Sequence, residues 1–288
     1  MRFAPCRGSL DFMKRRSKLS SRSLPIVGAC VLLVVATSLG SEPTPAAVSA
    51  FNTYIDAVES RLAQQHHSST TLLAPVDFTR LGRGDIVIEQ IGPPNVPSAL
   101  LHHWRGTAFV PGATSADFDR LLRDFSAYPR FFAPQVMQAG ILTQRGDHLQ
   151  VMMRVRQQHV LTVVVDTTYD VTFACLDAQP QIDVQRGCSL SRSTQISEID
   201  APGTTHERPL TPSEDHGFLW RLNTYWTWEE RNGGLYMQIE SVSLTRSIPR
   251  GLAWAIGPFV QSVPRESLEF TLHSAANALR NSHERKTP

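Results

Sequence analysis

The most regular alternation of apolar and polar residues lies between Phe218 and Arg246. Phe218, Trp220, Leu222, Trp226 and Trp228 fall on one side of a first strand, and Leu235, Met237 and Ile239 continue that side beyond Asn232-Gly233. Both residues of an Asn-Gly pair tolerate the positive φ of a type I′ turn, so a two-residue loop sets Arg231 opposite Gly234. Trp226 then faces Ile239 and Trp228 faces Met237. The other side carries Arg221, Asn223 and Tyr225 against Leu244, Val242 and Glu240. It reads either as an exposed polar ladder or, with the faces reversed, as an internal head-group site. The apolar side needs a cover. A helix starting near Pro264, with Leu268, Leu272, Ala275, Ala276 and Leu279 in one stripe, supplies it.

Upstream, the pattern alternates between periods. Val48, Phe51, Ile55, Val58 and Leu62 recur at helical spacing across Ala46–Gln65, a stripe that packs on its own domain or, less commonly, on a partner. Ile86-Val87-Ile88 reads as a strand, and Pro93, Pro94 and Pro97 then break the chain. A strand at Trp104–Val110 leads into a helix capped by Thr114 or Ser115 and a short helical turn at Tyr128–Phe132. Strands follow at about Val136–Gln144, His148–Gln157, Leu161–Leu176, Leu190–Ile199, Phe218–Glu230 and Leu235–Arg246, with a long loop at Asp200–His216. This order predicts an α+β fold in which a curved, seven-stranded antiparallel sheet wraps one long C-terminal helix, preceded by an N-terminal helical extension.

With 288 residues, 41% of them hydrophobic, the chain can bury a full core. Its net charge of +2 conceals an asymmetry: seven basic residues against Asp11 crowd the first forty positions, leaving 21 basic and 25 acidic residues beyond them. A mildly acidic body lacks the basic stripe that nucleic acid requires. The basic stretch Lys14-Arg15-Arg16, the apolar run Ile26–Leu39 and small residues at Ser38 and Gly40 have the layout of a secretory signal, with Met13 an alternative start. Export to the periplasm or the exterior is expected, and an uncleaved anchor is the alternative, although the apolar run is short for a span. The expected division is signal 1–40, extension 41–97, main domain 98–281 and tail 282–288. In an exported chain Cys175 and Cys188 are either one disulfide or two separate thiols.

The stretch Arg105-Gly106-Thr107-Ala108-Phe109-Val110-Pro111 leading into the Asp117–Phe125 helix, Tyr128-Pro129 with Phe131-Phe132 and Pro134, and Ser247-Ile248-Pro249-Arg250-Gly251 before the last helix give this order of elements a recognisable form. It resembles the START/Bet v 1-like superfamily of helix-grip proteins, which includes lipid-transfer, polyketide cyclase-like and coenzyme Q-binding members. The resemblance covers about Leu101–Asn281 and implies a cavity between sheet and helix.

Geometry points the same way, because one helix fills a strongly curved sheet only if large side chains intrude. The expected wall comprises Val151, Met153, Val155, Trp220, Leu222, Trp226, Trp228, Met237 and Ile239, closed by Leu268 and Leu272, with His159 and Tyr169 available to a ligand oxygen. The alternative is that these residues simply fill the space. Arg154 and Arg156 alternate with the wall and point outward. The uncharged run Leu252–Val260 holds Trp254, Ile256 and Phe259, either a gate touching a membrane surface or a buried short helix. No nucleophile elbow, metal motif or phosphate loop is present, so neither metal nor cofactor is expected. The leading expectation is an exported carrier of a hydrophobic small molecule: a lipid, isoprenoid or polyketide. The alternatives are a cyclase or aromatase using His159 or Tyr169, and an envelope interaction module docking through Ala46–Gln65.

Overall fold

In a computed structural model, residues 42–67, 71–158, 162–173, 186–248 and 253–284 are described; the segment before residue 42 is not. Helix α1 (Pro45–His66) starts at Thr44, whose Oγ1 accepts the Ala47 N–H at 3.1 Å, with Pro45 at the first helical position where no donor is needed. A short α2 (Phe78–Gly82) and β1 (Val87–Gln90) follow, then β2 (Ala99–Pro111), α3 (Ser115–Arg123), a 3₁₀ turn at Phe125–Ala127 and α4 (Tyr128–Phe131). The strands β3 (Val136–Arg145), β4 (His148–Gln158), β5 (Thr162–Phe173), β6 (Arg186–Asp200), β7 (Arg208–Pro209), β8 (Arg221–Arg231) and β9 (Gly234–Arg246) lead to α5 (Ala253–Glu284).

The antiparallel sheet runs β1-β2-β9-β8-β6-β5-β4-β3, with β7 paired to β6. It has nine strands where seven were expected, because β1 and the two-residue β7 join it. β1 pairs with β2 from Val87↔Thr107 to Gln90↔Trp104, so the prolines at 93–97 mark a turn of the chain within one packed unit. The hairpin register is the expected one: Arg231↔Gly234, Trp228↔Met237, Trp226↔Ile239 and Tyr225↔Glu240, with φ of 55° at Asn232 and 74° at Gly233.

α5 begins eleven residues before Pro264 and carries Pro258 and Pro264 within it. Each proline removes one N–H donor, a loss confined to one turn of a 32-residue helix. Its core stripe holds: Leu268, Leu272, Ala275, Ala276 and Leu279 are buried on the inner face of the sheet. Gly106 allows the close approach, since a Cβ there would stand 2.4 Å from Leu272 Cδ1.

The outer face departs most from expectation. α1 lies across it, and Phe51, Ile55, Val58 and Leu62 pack with Trp220, Tyr225, Val242 and Leu244. The expected polar ladder is therefore buried, and the apolar stripe of α1 is spent inside the molecule. Glu240 is 1% exposed beneath the helix. His103 Nε2 donates to its carboxylate at 2.9 Å, Arg105 Nε donates at 2.9 Å and Arg61 reaches it from α1. The other ring nitrogen, His103 Nδ1, is hydrogen-bonded to the Tyr54 hydroxyl at 2.9 Å. Glu229, also 1% exposed, accepts from Leu72 N–H at 2.9 Å and Thr71 Oγ1 at 3.0 Å, tying down the chain that follows α1.

Candidate functional site

The inner face is filled at one end. Trp226 and Trp228 meet Phe118 of α3 edge-on, with ring centroids 5.2 and 5.3 Å apart, and the Trp228 indole N–H donates to Ser115 Oγ at 2.9 Å. Val151, Tyr169, Met237, Ile239, Leu268 and Leu272 complete this packed end, all nearly inaccessible. Burial pushes the Tyr169 hydroxyl up to about 12.

Toward the other end the same face opens. Met153 and Val155 on β4, Ile196 on β6, Leu222 and Thr224 on β8, and Trp104 on β2 are each only half-buried. The positions between them hold the small side chains of Ser191, Ser193 and Ser241. The pairings place these residues on the α5 side of the sheet, since Trp104 lies across from Ser241, Ser241 from Thr224 and Leu222 from Ser243. Two polar atoms at this end are buried without a hydrogen-bond partner among the described residues, Trp104 Nε1 and Gln157 Oε1; Gln157 Nε2 donates to Ser267 Oγ of α5 at 3.2 Å.

The expected wall thus divides. Met153, Val155 and Leu222 border the open end, whereas Val151, Tyr169, Trp226, Trp228, Met237, Ile239, Leu268 and Leu272 belong to the packed end. Trp220 is not on this face. β8 begins at Arg221, and the irregular pairing before it, where the Trp220 N–H donates to Leu244 O and the Arg246 N–H to Gly217 O, turns Trp220 into the outer cluster under α1. His159 lies outside the described residues. Trp254, Ile256 and Phe259 fall in the first turns of α5, and their side chains are outside the description. Arg154 points outward as expected and pairs with Asp166 and Glu207, the latter from the Asp200–His216 loop. Cys188 is buried and disulfide-bonded; Cys175 is outside the described residues.

Trp104, Thr224, Ile196 and the serines were missed by the sequence reading. In Ser189-Leu190-Ser191-Arg192-Ser193 alternation alone would turn Leu190 inward, yet Leu190 packs in the outer cluster and the serines face α5. A separate cleft of about 470 Å³ lies between α4 and α5. Phe131, Ala133, Phe270 and Ala278 line it together with Arg130 and His273. Among the described residues no group of three or more His, Cys, Asp or Glu side chains could hold a metal, and no helix is long and apolar enough to cross a membrane.

An antiparallel sheet wrapped on a long C-terminal helix is the helix-grip arrangement, and START/Bet v 1-like proteins are the structures it is similar to. A STAR-related lipid transfer protein fragment from Xanthomonas axonopodis is 15% identical, with 67% of this chain and 98% of that one covered and a TM-score of 0.42. The Zhui aromatase/cyclase from Streptomyces sp. R1128 is 13% identical, with 66% and 97% covered and a TM-score of 0.40. Human STARD10 is 9% identical, with 76% and 85% covered and a TM-score of 0.40. No protein-family model and no curated protein sequence matches the chain.

Proposed function

We propose that the protein is an exported carrier that holds a hydrophobic small molecule, of lipid, isoprenoid or polyketide type, against the open end of the inner face. The observation that carries this reading is the contrast within one face: tryptophans fill one end, while serines and threonine at the other leave Met153, Val155, Leu222 and Ile196 partly uncovered. An apolar wall with a few hydroxyls is the usual make-up of a small-molecule site. The unpartnered Trp104 N–H adds a preference for a ligand with an acceptor oxygen, because a buried donor left unpaired costs about 1–3 kcal/mol. Binding without turnover accords with the sealed state of Tyr169, and the use of α1 inside the molecule disfavours docking through that helix. Transfer at a membrane surface through Trp254, Ile256 and Phe259 belongs to the same proposal.

The test is native mass spectrometry of the mature protein made through its own export route, with solvent extraction of anything retained. A stoichiometric apolar compound is expected, lost on Leu222→Trp or Met153→Trp, which fill the open end, and kept on the control substitution Ile141→Trp at the exposed edge of β3. A bare polypeptide mass, with no binding of the apolar dye Nile red, overturns the reading.

A further inference from the structure

α4 is pinned to the core by the residues on either side of it. The Tyr128 hydroxyl donates to Leu122 O at 2.7 Å, and its ring meets those of Phe125 and Phe132. The Phe132 N–H bonds to Tyr128 O at 2.8 Å and the Val136 N–H to Phe132 O at 2.9 Å. Arg130 and Phe131 line the cleft of about 470 Å³ toward α5. On α5 the lining residues Phe270, His273, Ser274, Asn277 and Ala278 are spaced by three and four, one stripe beside the core stripe of Leu268, Leu272, Ala275 and Leu279. The cleft thus lies between two elements that are both fixed in the core, and its volume falls within the about 300–1,000 Å³ of small-molecule sites.

Its walls are apolar and its polar groups are of one kind. Phe131 and Phe270 are half-buried, with Ala133 and Ala278 beside them. No Asp or Glu among the described residues lines the cleft, whereas four of its side chains can donate. The Arg130 guanidinium stands 4.8 Å over the centroid of the Phe131 ring and is paired with no carboxylate among the described residues. His273 carries a ring N–H in either tautomer. Asn277 Oδ1 accepts from Arg280 Nη1 at 3.1 Å, which leaves its amide N–H groups to donate. Thr271 and Ser282 return their hydroxyls to the carbonyl four residues back, both at 2.8 Å, and Ser274 makes no such bond among the described residues. A smaller cleft that shares Phe131 shows the contrast. Its charges are met within the chain: Arg120 donates to Asp117 at 2.9 Å, and Asp124 accepts from Ser126 Oγ at 2.6 Å and from the Ala127 N–H at 3.2 Å.

We infer that the cleft between α4 and α5 is a second binding site, for a small amphipathic carboxylate whose apolar body lies against Phe131 and Phe270 and whose charge meets Arg130 and His273. A carboxylate only accepts hydrogen bonds, so it complements a rim of donors, and the Arg130 fork can hold both of its oxygens. An inorganic anion would gain nothing from the two phenyl walls. The site is distinct from the open end of the inner face: Ser267, bonded to Gln157 at that end, lies ten residues and about 15 Å along α5 from Asn277. It is independent of the carrier reading.

Nuclear magnetic resonance titration of the mature chain with 2-naphthoate, and with its neutral counterpart 2-naphthamide, tests the site. Naphthoate is expected to shift the amides of residues 130–133 and 270–278, and naphthamide to bind at least about tenfold more weakly, because the charge-assisted bond is lost. Arg130→Gln should weaken naphthoate by a similar factor. Ala133→Trp, a large side chain at an exposed position on the cleft, should abolish the shifts. Leu222→Trp at the open end and Arg83→Gln, an exposed arginine outside the cleft, should leave them unchanged; melts matching the wild type show that each variant is folded. Equal affinity for acid and amide, affinity unchanged in Arg130→Gln, or shifts abolished by Leu222→Trp overturns the site and leaves the carrier reading to its own test. Phosphatidylglycerol vesicles that bind the wild type and neither Arg130→Gln nor Ala133→Trp, with no response to free naphthoate, overturn the small-molecule assignment in favour of a membrane contact.

Discussion

The Trp228 indole lies flat against the backbone of Gly187 on the neighbouring strand: a Cβ at Gly187 would fall 2.1 Å from Trp228 Cζ2 and 2.3 Å from Cε2. The glycine is there because the ring occupies the place of its side chain, and the ring is fixed on its other side by Phe118 and by the bond to Ser115.

Gly187→Ala is therefore expected to destabilise the protein by about 1–3 kcal/mol, the usual cost of overpacking a core. Gly106→Ala should cost less, because its nearest neighbours are the ends of the Leu272 and Ile88 side chains, which can rotate away. Urea unfolding of the two variants side by side checks the order.

Glu240 should govern the acid limb of the stability curve. Burial alone would raise its carboxyl, but the His103 hydrogen bond and the Arg105 and Arg61 charges outweigh that and hold it at about 2. A carboxyl lowered on folding contributes stability that is fully present above its unfolded value, near 4.5, and is lost as the pH falls toward 2. Denaturant midpoints measured from pH 6 to 2 should fall steeply across that window in the wild type and more gently in Glu240→Gln. Glu240→Ala, which strands the buried His103 and Arg105, is expected to cost about 3–5 kcal/mol at pH 7.

Removing the side chain of Phe51, 3% exposed between α1 and the sheet, should cost about 3–5 kcal/mol. Deletion of residues 45–66 should give a chain that aggregates, since Val242, Leu244, Trp220 and Tyr225 would then face water. Circular dichroism melts of Phe51→Ala and size-exclusion profiles of the deletion are the measurements.

Tyr169→Phe separates a carrier from a cyclase. The hydroxyl is sealed in the packed end and stays protonated over the working pH range, so retention of a bound compound, and any turnover, should be unchanged. A fall in turnover with binding intact would return Tyr169 to a catalytic role.

Local chemistry made much of this protein legible in its sequence. Asn232-Gly233 set the hairpin register to the residue, because a two-residue turn with positive φ at both positions allows one pairing. The spacing of Leu268, Leu272, Ala275 and Leu279 identified the stripe by which α5 grips the sheet, and that of Phe51, Ile55, Val58 and Leu62 identified α1. What α1 covers was a tertiary decision. Arg221, Tyr225 and Glu240 read as a solvent-facing ladder because polarity alone does not distinguish water from a protein partner such as His103 or Arg61, far away in sequence. The same limit hid the open end. Ser191 and Ser193 look like outward residues until α1 is seen to claim Leu190 for the opposite face. Sequence periodicity sorts residues into two faces; only packing between distant segments determines which face is filled, which is buried twice and where small side chains leave space.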